Sequence, residues 1–192
     1  SEQSPQEVYA HELIHIITEF GLRQDEKFRT EIERIRKQVL KEIIRREKRP
    51  YEIFLNRDKN GNIIYLTDKA SEIAAAKAQY ERTFFPRDDN GNRDPTAELD
   101  EFLAYGLTNK FLVPYLSEMQ SESIPFWSKE PGDTVVEKLV KLLVRIIDSI
   151  ASVLGAKKRP ANVEEEIFML TKKIVDVNQA KQKKIKDVFK KE

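Results

Sequence analysis

The sequence predicts a mostly α-helical protein with one small β-hairpin. Three observations predict it. Apolar residues recur at helical spacing between recognisable caps and stops. Alternating, strand-like patterning is confined to the residues around Asn60-Gly61. A charged fraction of 35% is spread over the intervening faces, as solvated helix surfaces require.

The first helix is marked at both ends. Ser4, Pro5 and Glu7 read as an N-cap, a proline at the first helical position and a capping-box acid. Gly21 reads as that helix's C-terminal stop. Val8, Leu13, Ile14, Ile16, Ile17 and Phe20 make it apolar on most sides, so it is expected to be buried. A second helix is predicted from about Asp25 to Lys48, with Phe28, Ile32, Ile35, Val39 and Ile43 as its stripe and Pro50 as its limit. Tyr51–Asn56 and Asn62–Leu66 read as two short strands joined through Asn60-Gly61. A third helix is expected over Asp68 to Phe84. Asp94-Pro95 opens a fourth that runs to about Leu107, and Thr108 is expected to cap a short helix reaching Met119, bent at Pro114. Ser121 to Asp133 reads as a linker carrying Phe126 and Trp127. Thr134 and Glu137 form a capping box for an apolar helix ending at Gly155, and Asn162 and Glu165 start a last one. No internal repeat is read. The organisation predicted is one domain over 1–155 and a C-terminal helix over 156–192.

Composition removes several classes of function. Acidic and basic residues nearly cancel, 33 against 34, so the chain as a whole has no bias toward nucleic acid. The tail Lys181–Lys191, with Ile185, Val188 and Phe189 at helical spacing, is the one segment suited to such contact. With no cysteine, neither a disulfide framework nor a thiolate metal site is available. The apolar run Val135 to Leu154 is broken by Glu137, Lys138, Lys141, Arg145 and Asp148, so it reads as a buried helix and not a membrane span. No signal peptide is read, both ends look like cuts in a longer polypeptide, and a cytoplasmic or virion-associated location is expected. Asn56–Asn62 partly fits a calcium loop, but position twelve is Thr67 and the flanks favour a plain turn.

One constellation carries sharp chemistry: His11-Glu12-Leu13-Ile14-His15. Residues four apart share a helix face, so the two imidazoles can bind one tetrahedral Zn²⁺. The intervening glutamate can take a proton from water activated by the metal. The chain has only 2 histidines, and chance would place them around a glutamate in this way roughly once in a thousand. A third ligand must then be a carboxylate. The best segment is Glu98-Leu99-Asp100-Glu101-Phe102-Leu103-Ala104-Tyr105, with Glu101 the first choice and Glu98 the alternative. Glu98 and Asp100 also suit an acidic first turn that complements the helix dipole.

His11-Glu12-Leu13-Ile14-His15-Ile16-Ile17-Thr18, with Asp100-Glu101-Phe102-Leu103-Ala104 further along, resembles the zincin-like metallopeptidase domains of large phage and mobile-element polyproteins. Those are similar in turn to the catalytic domain of anthrax lethal factor. That family pairs its H-E-x-x-H helix with a Glu-Phe-x-Ala-Glu helix whose first glutamate completes the zinc site. Leu107–Phe111, Phe126-Trp127 and the Val135–Leu154 helix also resemble the segments C-terminal to the second motif in that family. The resemblance implies a gluzincin-like zinc peptidase fold, with His11, His15 and Glu101 as ligands, Glu12 as base and a protein or peptide substrate. Tyr105 stands where the family has its second acid. The family's oxyanion-stabilising tyrosine precedes the helix, where this chain has Asp94, so Tyr105 or Tyr80 would take that part. The sheet that family members place before the first motif has no counterpart ahead of His11. The expectation is therefore a zinc metallopeptidase, or, alternatively, a catalytically degenerate zincin-like interaction module of a larger phage or mobile-element protein.

Overall fold

The computed structural model describes residues 5–121 and 133–154. In chain order these form α1 (Pro5–Gln24), α2 (Glu26–Arg46), a 3-10 helix (Pro50–Phe54), α3 (Lys69–Phe84), α4 (Pro95–Thr108), α5 (Leu112–Ser117) and α6 (Val135–Leu154). The mostly helical class is as predicted. Among the described residues there is no sheet, only isolated bridges at Arg57–Ile63, Arg87–Arg93 and Gln120–Thr134. No described helix is long and apolar enough to cross a membrane. The cap expected at Ser4, the Phe126-Trp127 linker, and the helix from Asn162 with its Lys-rich end lie outside the described residues.

Local chemistry accounts for most boundaries. The Asp25 side chain caps α2 through the Lys27 N–H, Asp68 caps α3 through Ser71, and Asp94 caps α4 through Thr96 and Ala97. Thr134 and Glu137 exchange both bonds of a capping box ahead of α6, at 2.9 and 3.3 Å. The predicted α2 stripe of Phe28, Ile32, Ile35, Val39 and Ile43 is buried throughout.

α4 is the central helix and touches α1, α2, α3, α5 and α6. Its Phe102, Leu103 and Ala104 are wholly excluded from solvent. Buried Arg36 on α2 fixes it at one end. Its guanidinium donates to the Phe84 carbonyl at the end of α3 (2.6 Å) and pairs with Glu98 in the first turn of α4 (3.3 Å). One cation thus meets the negative end of one helix and an acid at the start of the next.

Four expectations are corrected. The strand expected over Tyr51–Asn56 is mostly the 3-10 helix Pro50–Phe54, because Ile53, Phe54 and Leu55 are all buried. An alternating strand cannot send three consecutive side chains into one core, whereas a tight turn can. The partner arm therefore pairs only at Ile63, and Leu66 is exposed. Thr108 belongs to α4 and bonds back to the Ala104 carbonyl, while Asn109 accepts from the Phe111 and Leu112 N–H groups at the start of α5. A repeated turn is present after all. Arg57-Asp58-Lys59-Asn60-Gly61-Asn62 and Arg87-Asp88-Asp89-Asn90-Gly91-Asn92 make the same bonds: the aspartate accepts from two backbone N–H groups, and the arginine donates to the glycine carbonyl. Gly61 and Gly91 both take positive φ, 83° and 79°. These aspartates are occupied by their own backbone, as in a plain turn.

The fourth correction is Gly21, which does not stop α1. The helix continues to Gln24, and Gly21 lies inside it where α6 crosses. A Cβ there would fall 2.3 Å from Ile146 Cγ2, a stiff β-branched atom. Gly106 on α4 meets Leu139 of α6 in the same way, at 2.9 Å. Two glycines therefore let α6 lie close against both α1 and α4. In a free helix Gly→Ala gains about 1 kcal/mol. Here Gly21→Ala is expected to lose about 1–3 kcal/mol to overpacking, measured as a lowered thermal midpoint. A raised midpoint would show that the close crossing does not limit the fold.

Candidate metal centre

α1 and α4 pack face to face and bring three predicted residues together. His11 is buried, and His15 and Glu101 are half-buried. The histidines stand one turn apart on α1 with ring centroids 4.4 Å apart, nearly edge to face. Their Nε2 atoms are 2.8 Å apart, and Glu101 Oε2 lies 3.2 Å from that of His15 and 3.5 Å from that of His11.

The outer nitrogens determine what the inner ones carry. His15 Nδ1 lies 2.7 Å from Asp100 Oδ2, a carboxylate that only accepts, so Nδ1 holds the proton. Thr108 gives its hydroxyl proton to the Ala104 carbonyl, so its oxygen is the acceptor for His11 Nδ1 at 3.4 Å. In the neutral tautomers this network selects, both Nε2 atoms present lone pairs to the same point. Glu101 Oε2 adds a third, and it is buried with no hydrogen-bond donor in bonding geometry.

Three converging lone pairs demand positive charge. Burial alone would lower the His15 imidazole, but the bonds and charges of Asp100 and Glu101 outweigh it and lift it to about 10. Burial likewise pushes the Glu101 carboxyl up, and the two imidazoles beside it draw it down to about 2. A tetrahedral ion with bonds of about 2.0 Å has ligand–ligand edges of about 3.3 Å. The triangle of 2.8, 3.2 and 3.5 Å brackets that value. The donor set and the orphaned carboxylate oxygen therefore fit a metal ion.

The remaining predicted residues surround this triangle or lie apart from it. Glu12 is exposed on α1 beside His11, near enough for its charge to act on Tyr105. The Tyr105 ring packs on the His11 ring at 4.2 Å, one helical turn beyond Glu101. Burial foremost, then the Glu101 charge, raises its phenol above the ordinary value. Tyr80 packs instead with Phe84 and Phe85. Glu98, the alternative ligand, is taken by Arg36 and Arg93. Asp100 is not a dipole acid: it lies beyond the first turn, where the dipole's pull has faded, and it orients His15.

Sequence reasoning missed three supporting residues: Asp100 in this role, Thr108 and Thr18. Buried Thr18 contacts Asp100 Oδ1 and bonds back to the Ile14 carbonyl. Its signal was its position one turn after His15 on the same face. Nothing in the spacing singles out Thr108, which needs the α1–α4 packing to reach His11.

The chain is expected to hold one divalent ion, counted by mass spectrometry on the purified protein. His15→Ala should reduce it to background, Glu101→Ala should weaken it strongly, and Glu98→Gln should leave the stoichiometry unchanged. Asp100→Asn should cost about 10–100-fold in affinity, as for other partners of ligand histidines. Full metal content in His15→Ala would place the ion elsewhere.

Comparison with family models, with curated proteins and with solved structures finds no match, and the assignment of this site rests on its own geometry.

Proposed function

We propose that this chain is a zinc-dependent metallopeptidase-type domain that hydrolyses peptide bonds. The observation that carries the reading is the convergence of His11 Nε2, His15 Nε2 and Glu101 Oε2 beside a free carboxylate, Glu12. Two imidazoles and one carboxylate oxygen suit zinc better than calcium or magnesium, which prefer all-oxygen shells. When bound, zinc supplies the Lewis acidity that polarises a carbonyl and makes water acidic near pH 7.

The chain's own residues supply the rest. Glu12 is exposed and makes no ion pair with a described residue, so its carboxylate is available to accept a proton and return it to the leaving amine. Asp100 and Thr108 hold the two rings in the tautomers that face inward. Tyr105 braces His11 and is the phenol nearest the ligands to serve a developing oxyanion.

A second reading has its own support. The ligands join α1 to α4, and among the described residues no strand lies beside α1 to hold an extended peptide. A zincin-like module of a larger phage or mobile-element protein would use the same ion only to fasten the two helices. The readings part at Glu12. For the peptidase, Glu12→Gln keeps the zinc and the thermal midpoint while cleavage of a peptide library falls about 10²–10⁴-fold. A chelator stops cleavage, and zinc restores it. For the module, chelation lowers the midpoint and no library peptide is cut by either form.

A further inference from the structure

A cavity of about 120 Å³ opens between the 3-10 helix, α3 and the start of α5. One face of α3 lines it: Glu72, Ala75, Ala76, Gln79 and Arg82 fall at helical spacing, and the two alanines leave the room. Phe54 and Phe111 give it apolar walls.

Its polar groups are mostly donors. Arg82 reaches only the side-chain amide oxygen of Gln79, at 3.5 Å, and Lys110 lies over the Phe111 ring. Neither has an acidic partner among the described residues. Asn109 uses its side-chain oxygen to start α5, which leaves its NH₂ group for the cavity. Glu72 is the one acid in the lining, and the Thr67 N–H and hydroxyl engage it. Two cations without acidic partners and an amide donor over apolar walls complement a carboxylate on a short aliphatic stem.

The cavity also adjoins the metal centre. Tyr105 and Asn109 are one turn apart at the end of α4, joined by the Asn109 N–H to Tyr105 carbonyl bond of 2.9 Å. Arg82 and Gln79 both act on the Tyr105 phenol, and the Tyr105 ring rests on His11.

We infer that this cavity is a carboxylate-binding subsite, in which Arg82, Lys110 and Asn109 hold an acidic side chain or the free C-terminus of a peptide substrate. That it serves a substrate rests on the peptidase reading; that it binds a carboxylate does not.

The test is binding, monitored by NMR on the Arg82 Nε–H and Asn109 side-chain NH₂ signals of the whole chain. The probes are N-acetylglutamate α-amide for a side-chain carboxylate, N-acetylalanine for a C-terminus, N-acetylglutamine amide as neutral control and inorganic phosphate. At least one carboxylate probe should shift both signals while the neutral amide does not, and the stronger of the two identifies the source. Arg82→Gln with Lys110→Gln should weaken binding at least tenfold. Both positions are exposed, so the thermal midpoint and metal content should stay unchanged. Equal shifts from the neutral amide, no shift from either carboxylate, or tighter binding of phosphate than of both would each overturn the inference. A chain that binds the carboxylate yet cuts nothing keeps the subsite and loses the peptidase reading. One that cuts peptides while neither carboxylate probe binds loses the subsite and keeps the enzyme.

Discussion

Three lone pairs cannot occupy a triangle about 3 Å on a side without a positive charge among them, and this constraint governs the molecule. His11 and His15 come from one helix and Glu101 from another, far along the chain, so the demand for charge is also a demand on packing. α1 and α4 must hold a fixed register if the three atoms are to converge. A slide of one helical turn, about 5.4 Å, would leave two imidazoles facing apolar side chains and a carboxylate buried alone.

That register is set from behind by α6. Its buried apolar row presses on α1 at Gly21 and on α4 at Gly106, and both helices lack a side chain where it crosses. Close crossing lets stiff β-branched residues such as Ile146 lock into the gap, and such contacts tolerate little displacement. The core thus has a functional consequence: packing precision on the far side of α1 and α4 becomes ligand precision on the near side. Arg36 adds a second anchor by tying the start of α4 to α2 and to the end of α3.

Much of this was legible in the sequence, and the rest was hidden by a common cause. Local chemistry could be read directly: aspartate caps, the Thr134–Glu137 box and the α2 stripe act within a turn or two of chain. The two histidines could be read because four-residue spacing alone places them on one face. Glu101 could be ranked over Glu98 because it sits just before the apolar Phe102-Leu103-Ala104 stretch, whereas Glu98 suits the acidic first turn, and the resemblance pointed to the same residue. The errors arose where a distant segment overrode a local signal. Gly21 looks like a stop until α6 is placed against it. Tyr51–Asn56 looks like a strand until three successive residues must enter one core. The twin Arg-Asp-x-Asn-Gly-Asn turns escaped notice because their flanks differ, although the six-residue pattern is itself local.

α4 shows most clearly how a helix divides labour among similar side chains. Glu98, Asp100 and Glu101 lie within four positions, and a turn of about 100° per residue gives each a different set of partner atoms. Glu98 faces α2 and neutralises Arg36. Asp100 meets the outer nitrogen of His15. Glu101 meets the inner nitrogens of both histidines. The three roles are interdependent. Without Glu98, Arg36 would be a buried cation lacking one of its acids, and the start of α4 would lose its anchor. Without Asp100, His15 could carry its proton on the inward nitrogen, and the site would present a donor where it needs a lone pair. One turn beyond Glu101 stands Tyr105, and the carboxylate that orients His15 is Asp100. The orienting carboxylate is the residue immediately before Glu101. Position 105 holds an aromatic ring that packs on His11, and its phenol feels the charge of Arg82 from the donor-lined cavity.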